Sequence, residues 1–150
     1  AVTVKLPHVD GTAVRHALEL IQPGAVLVVE MSGDDDRACW GELRTYAALS
    51  KGVAGVVISG CVTDVREVSK LGLPVFSKGI SALTTRALNL EGEVNTAVSI
   101  GGTAVQPGDL IVGDDNGVFA VNPGHALELG RAALEKQKKE EHIRKKYLHD

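Results

Sequence analysis

Two near-continuous apolar runs, Ala25–Met31 and Val53–Ile58, constrain this chain more than any other feature. A short, valine-rich run suits a strand covered on both faces, because β-branched side chains pack well on a pleat and no position needs water. Each run follows a segment of helical period. Residues 12–22 place Val14, Ala17, Leu18 and Ile21 on one face, with Thr12 as cap. Residues 41–51 follow the same logic, with Leu43, Tyr46, Ala47 and Ala48 expected inward. Strand, helix, strand in this rhythm builds parallel pairs, since parallel strands need a long crossover between them.

The remaining pattern fills in around these units. Val2–Leu6 alternates apolar and polar, as a half-buried strand does. Thr63 or Asp64 is placed to cap a short helix carrying Val65 and Val68; Leu73–Ser77 reads as a strand, with the chain turning at Gly79. Residues 80–92 show no period. Asn95–Ile100 and a short piece ending at Val105 flank Gly101-Gly102, and Asn116-Gly117 lies between two apolar runs, a hairpin signal resting on residues that accept positive φ. A helix is expected from Pro123 to residue 150, with an apolar stripe at Leu127, Leu129, Ala133 and Leu134, then a Lys/Glu-rich interval before Ile143, Tyr147 and Leu148. Together these predict one layered α/β domain over residues 1–150 with a mixed sheet. The chain begins at Ala1 within a strand, and the expectation is that an N-terminal segment is missing.

Composition excludes several function classes. The formal net charge is −3, against the direct nucleic-acid role that a basic surface would favour. The aromatics are only Trp40, Tyr46, Phe76, Phe119 and Tyr147, so no stacking platform for bases is present. The longest apolar runs fall far short of the roughly 20 residues of a membrane span, and no signal peptide is visible. Cys39 and Cys61 form no CxxC; two reduced thiols in a cytoplasmic protein are expected.

Chemistry-bearing residues collect where the expected strands end. Asp64 and Glu67 are three apart and share a helix face, a carboxylate pair that suits a hard cation; the same spacing also reads as a cap and a surface acid. Gly41-Glu42-Leu43 opens a helix, where free N–H groups favour a carboxylate or phosphate; it also reads as an ordinary helix start. Asp34-Asp35-Asp36 reads as a solvated loop, Cys61 as a small buried hydrophobe, and Lys78 as a lysine with no sign of a depressed pKa. No HExxH, zinc cluster, GxSxG or P-loop is present among the residues.

Gly41-Glu-Leu, Gly52-Val-Ala-Gly-Val-Val-Ile-Ser-Gly60, Val62-Thr-Asp64, Leu73-Pro-Val-Phe76 and the block Gly108–Pro123 occur in that order. In combination they resemble the RraA-like family, from residue 2 to about residue 135. That family includes the regulators of ribonuclease activity, the 4-hydroxy-4-methyl-2-oxoglutarate aldolases and proteins once labelled menaquinone methyltransferases. The resemblance implies an α/β/α sandwich of the swivelling-domain type, assembled as a homotrimer or homohexamer with sites between subunits. For aldolase members it implies Mg²⁺ or Mn²⁺, cleavage of a small keto-acid substrate to pyruvate, and an oxaloacetate decarboxylase side activity. By the same resemblance Asp64 matches the metal-binding aspartate, Glu67 the trailing catalytic acid, and Gly41, Glu42 and Leu43 the loop that holds the substrate carboxylate. Two positions depart from the pattern. Thr63 stands where the family has arginine, and Ser59 where it has aspartate. Arginine's bidentate fork is worth about 2–5 kcal/mol against a buried carboxylate, so its loss matters. Arg66, one turn on, is the candidate replacement. The expectations are therefore a metal-dependent lyase or, alternatively, a non-catalytic regulator binding a ribonuclease or other protein partner.

Overall fold

The structure is a computed structural model that describes residues 1–7 and 9–149; His8 and Asp150 lie outside them, and so does the last position of the expected terminal helix. Strands β1 (Val2–Pro7), β2 (Val26–Ser32), β4 (Gly55–Val62) and β5 (Val75–Ile80) form the parallel body of one sheet, in that spatial order. Helices α1 (Thr12–Leu20), α2 (Glu42–Ser50) and α3 (Val65–Leu71) make the successive crossovers. The strands are laid down in one direction across the sheet. Right-handed crossovers then put all three helices on one face. The main core agrees: Val14, Ala17 and Leu18 of α1, Ala48 of α2 and Val68 of α3 pack there with Leu6, Leu27, Val29 and Val56.

The other face is covered differently. Val28 and Val57 point into a second core with Val98 and Val105, from the hairpin β7 (Val98–Ile100) and β8 (Thr103–Val105). Ile111, Val118 and Ala120 of the hairpin β9 (Leu110–Asp114) and β10 (Gly117–Val121) pack against it. The mixed sheet with helices is the architecture expected, and within this chain the second layer is built from hairpins. The edge strand β6 (Glu93–Val94) runs antiparallel to β1, which makes the sheet mixed.

One strand changes partner midway. β4 pairs with β2 as far as Ile58, and with β3 (Ala38–Trp40) at Cys61 and Val62. At the break, the Ser59 hydroxyl accepts the Met31 N–H at 2.8 Å, so a side chain substitutes for a lost ladder bond. β3 is too short and too close to a polar loop to show in the periodicity.

Several local expectations are corrected. The inward face of α2 is Thr45 and Ala48; Leu43 is 82% exposed and Tyr46 53%, and Ala47 is also exposed. The alanine spacing fits either face, and it is the Trp40–Thr45 contact described below that sets the rotation. Gly11, not Thr12, is the N-cap of α1, and the carboxylate of Asp10 before it accepts the Thr12 N–H at 3.0 Å and the Thr12 hydroxyl at 2.5 Å. β5 runs through Gly79 to Ile80 because β4 continues beside it. Asn95–Ile100 is interrupted: Asn95 has φ +58°, separating β6 from β7. In the β9–β10 hairpin only Gly117 takes positive φ, while Asn116 donates its N–H to Asp114 at 2.8 Å. The terminal helix α4 (Pro123–His149) forms as expected, but Leu127, Leu129 and Leu134 of its stripe are exposed. Among the described residues no helix is long and apolar enough to cross a membrane.

Candidate functional site

Parallel strands that end side by side leave a crevice at their carboxyl ends, where α/β proteins bind ligands. Here the ends are those of β3 and β4, joined by the Thr63 N–H donating to the Trp40 carbonyl at 2.9 Å. Trp40 is buried and anchors the site. Its indole N–H donates to Thr45 Oγ1 at 2.9 Å, and the Thr45 hydroxyl donates to the Gly41 carbonyl at 2.9 Å. The first turn of α2 is thereby held from below.

Gly41 is extended (φ −164°), a conformation open to any residue, so its backbone does not demand glycine. Space does. A Cβ at Gly41 would stand 2.6 Å from Asp64 Oδ2 and 2.8 Å from Thr63 Cγ2. Asp64 has φ +53°, in the left-handed region that aspartate tolerates better than most residues. It is the N-cap residue of α3 through its carbonyl, but its side chain makes no cap bond there; its Oδ2 instead accepts the Glu42 N–H at 3.1 Å, and so caps α2. A carboxylate at that helix start complements the dipole. The N–H groups of Leu43 and Arg44 find no acceptor among the described residues and remain available at the same end.

The opposite wall comes from the aperiodic stretch after β5. Thr84 and Thr85 line the cleft, held by the Thr85 N–H to the Ala38 carbonyl at 3.0 Å and the Ala38 N–H to the Leu83 carbonyl at 2.8 Å. Asp10 secures the rest of that stretch, accepting N–H bonds from Leu88, Leu90 and Glu91 at 2.8–3.3 Å. The Thr12 hydroxyl first, and then the Leu90, Leu88 and Thr12 N–H groups, hold the Asp10 carboxyl well below the ordinary carboxylate range against its burial. Arg44 lines the cleft as well. One of its Nη groups donates to the Cys39 carbonyl and the other to the Gly11 carbonyl at 3.0 Å. Burial lowers its pKa from the ordinary arginine value, with Cys39 opposing the shift.

Of the residues singled out in the sequence, Gly41, Glu42, Leu43, Thr63 and Asp64 meet in this cleft of about 180 Å³. That is smaller than the pockets of roughly 300–1,000 Å³ that enclose drug-sized ligands, and suits a small metabolite. Arg66 is exposed and does not line it. Glu67 lies outside too, with Lys70 Nζ at 3.8 Å. Arg44, Thr84 and Thr85 were not anticipated. Arg44 is four residues before the buried Ala48 and shares its face, a usable signal; the threonines lie in a stretch with no pattern to read. Lys78 pairs with Asp35 at 2.9 Å and Asp36 at 3.1 Å, and those hydrogen bonds raise its pKa, opposite to what a Schiff-base lysine needs.

Among the described residues no group of three or more His, Cys, Asp or Glu side chains gathers to hold a metal. The cleft's donors are oxygens, from Asp64, Glu42 and Thr63. Mg²⁺ and Mn²⁺ prefer oxygen, and Mg²⁺ commonly binds through one or two carboxylates while keeping waters and substrate oxygens. The donor set fits such an ion.

This architecture defines an α/β protein with a cleft at the carboxyl ends of its strands. The family model described as "RraA-like: Aldolase/RraA" matches residues 1–120, and the chain belongs to that family. An uncharacterized protein of Methanocaldococcus jannaschii is 40% identical over 99% of this chain and 71% of its own length. A Halalkalibacterium halodurans protein, provisionally named a 4-hydroxy-4-methyl-2-oxoglutarate aldolase, is 34% identical over 93% of this chain and 66% of its own. The crystal structure of an unusual Streptomyces coelicolor member of the RNase ES inhibitor RraA protein family superposes with a TM-score of 0.82 at 33% identity, over 95% of this chain and 73% of that one.

Proposed function

We propose that this chain is a divalent-metal-dependent lyase acting on small keto acids: a 4-hydroxy-4-methyl-2-oxoglutarate-type aldolase that releases pyruvate, with oxaloacetate decarboxylase side activity. The observation that carries it is the convergence of the Asp64 carboxylate, the open N–H groups at the start of α2 and the Thr63 hydroxyl in one cleft. The N–H groups of Leu43 and Arg44 bind and orient the carboxylate of the keto acid. Gly41, lacking a side chain, lets Asp64 lie against that helix start. Asp64 would hold Mg²⁺ or Mn²⁺, which when bound supplies Lewis-acid polarisation of the substrate carbonyl. Thr63 and Glu42 add polar contacts at the cleft mouth. No step is assigned to Arg66 or Glu67, which stand outside it. Action in the cytoplasm is supported by two free, buried cysteines.

The test is pyruvate release from oxaloacetate with Mg²⁺ or Mn²⁺ for wild type and Asp64→Ala. A lost charged contact of about 2 kcal/mol or more predicts at least a roughly 30-fold fall. Equal rates would refute the reading. Assembly as a trimer or hexamer is part of the proposal, motivated by the uncovered apolar residues of α4; a monomer at micromolar concentration in sedimentation would contradict it. Thr63 in place of arginine favours a second reading, a non-catalytic regulator that binds a ribonuclease or other protein. Recovery of a stoichiometric partner by a chain with no metal-dependent turnover would support that one.

A further inference from the structure

The cleft contains a cation that sequence reasoning placed elsewhere. Arg44 has five N–H donors, and two are spent on the Cys39 and Gly11 carbonyls. Both acceptors are neutral main-chain groups. Among the described residues no carboxylate stands within 4 Å of the guanidinium, although six Lys or Arg contacts to carboxylates are made by others of those residues. The side chain is mostly enclosed, so its charge is neither paired nor fully hydrated. Enclosing a charge in that way is costly unless something compensates it. The surroundings keep it in place. A Cβ at Gly11 would lie 2.8 Å from Arg44 Nη2 and 2.6 Å from Thr85 Oγ1, so the missing side chain at residue 11 leaves the space that the guanidinium and the threonine hydroxyl occupy. Both groups line the same cleft as Asp64.

The cleft thus offers two separate receptors for negative charge: the open N–H groups at the start of α2, and the guanidinium with Thr85. A monocarboxylate satisfies only one. We infer that Arg44 is the specificity-determining residue of this site and receives the second carboxylate of a 2-oxo dicarboxylic acid, a task that residue 63, as threonine, does not perform in this chain. The inference rests on the keto-acid reading above and assigns its missing cation. The two backbone bonds hold the guanidinium in place and leave three of its five N–H groups for a ligand.

The experiment measures binding of two uncleaved probes by titration calorimetry in Mg²⁺ buffer: 2-oxoglutarate, with two carboxylates, and 2-oxobutyrate, with one. Wild type is expected to prefer 2-oxoglutarate by about 10- to 100-fold, the range of one charge-assisted contact. Arg44→Met removes that preference, and Arg44→Lys, which keeps the charge and loses the fork, retains part of it. If Arg44→Met does not fold, as read from Trp40 fluorescence, Arg44→Lys carries the test through at least a threefold reduction in the ratio of the two affinities. No preference in wild type, or a preference that survives both substitutions, overturns the assignment. The two readings separate cleanly. An Arg44-dependent preference in a protein without Asp64-dependent pyruvate release keeps this subsite and removes the lyase. Asp64-dependent release with an undisturbed preference in the Arg44 variants does the reverse.

Discussion

The sharpest test of the site's geometry is Gly41→Ala. The backbone at residue 41 is extended and accepts alanine without strain. The added methyl meets Asp64 Oδ2 at 2.6 Å and Thr63 Cγ2 at 2.8 Å, about 0.8 and 0.6 Å short of ordinary contact. Both neighbours are side-chain ends, so they yield rather than the strand. The Asp64 carboxylate then leaves the Glu42 N–H. Mild overpacking and one weakened, solvent-exposed hydrogen bond place the cost at about 1–2 kcal/mol. At 150 residues that is a Tm loss of roughly 2–8 °C. Activity should suffer more, because a displacement approaching 1 Å at a reacting centre costs about 100-fold. The assay is a double-mutant cycle: thermal unfolding of wild type, Gly41→Ala, Asp64→Ala and the double variant. Once Asp64 is cut back, half the obstruction is gone, so the Gly41→Ala cost should shrink by about 0.5–1 kcal/mol. An identical cost in both backgrounds would refute the claim that glycine at 41 exists to admit the Asp64 carboxylate.

Other expectations follow from the same geometry. Trp40→Ala empties the largest fully buried side chain and removes the donor to Thr45; about 3–5 kcal/mol should be lost, measurable by denaturant unfolding. Asp10 is an acid-limb residue. Its folded pKa is depressed, so its contribution is complete above the ordinary carboxylate pKa and is lost as pH falls below it; Asp10→Asn should flatten the stability–pH curve in that acid window and leave its shape at neutral pH alone. Burial pushes the Cys39 thiol up to about 12, so iodoacetamide at pH 8 should label residue 39 only after denaturant is added, as peptide mapping would show.

How far the sequence carried the fold depended on periodicity. The runs 25–31 and 53–58 located the two central strands because burial on both faces leaves an unbroken apolar signature. The rotation of α2 escaped that logic: Leu43 and Tyr46 are the larger apolar residues, yet Thr45 faces inward because Trp40 needs an acceptor. Gly41 and Asp64 were legible from motif order and from the strand ends they follow. Arg44 carried a signal in its spacing from Ala48, but a charged residue in an amphipathic pattern reads first as solvated. Thr84 and Thr85 were hidden by their irregular backbone, whose path is set by long-range bonds to Ala38 and Asp10 that no local pattern records.

The terminal helix gives the chain two separate kinds of stability. α4 has 27 residues, about 40 Å at 1.5 Å per residue, and its large apolar side chains stay in water. In proteins most helical stability comes from packing an amphipathic face, which α4 lacks within this chain. In a chain that is not assembled, its amides should therefore exchange with deuterium through local fraying, on a timescale unrelated to the opening of β1, β2 and β4. A melting curve followed by helix ellipticity and one followed by Trp40 emission would then report different events in the same molecule. Agreement between the two would signal that α4 has found something to lie against.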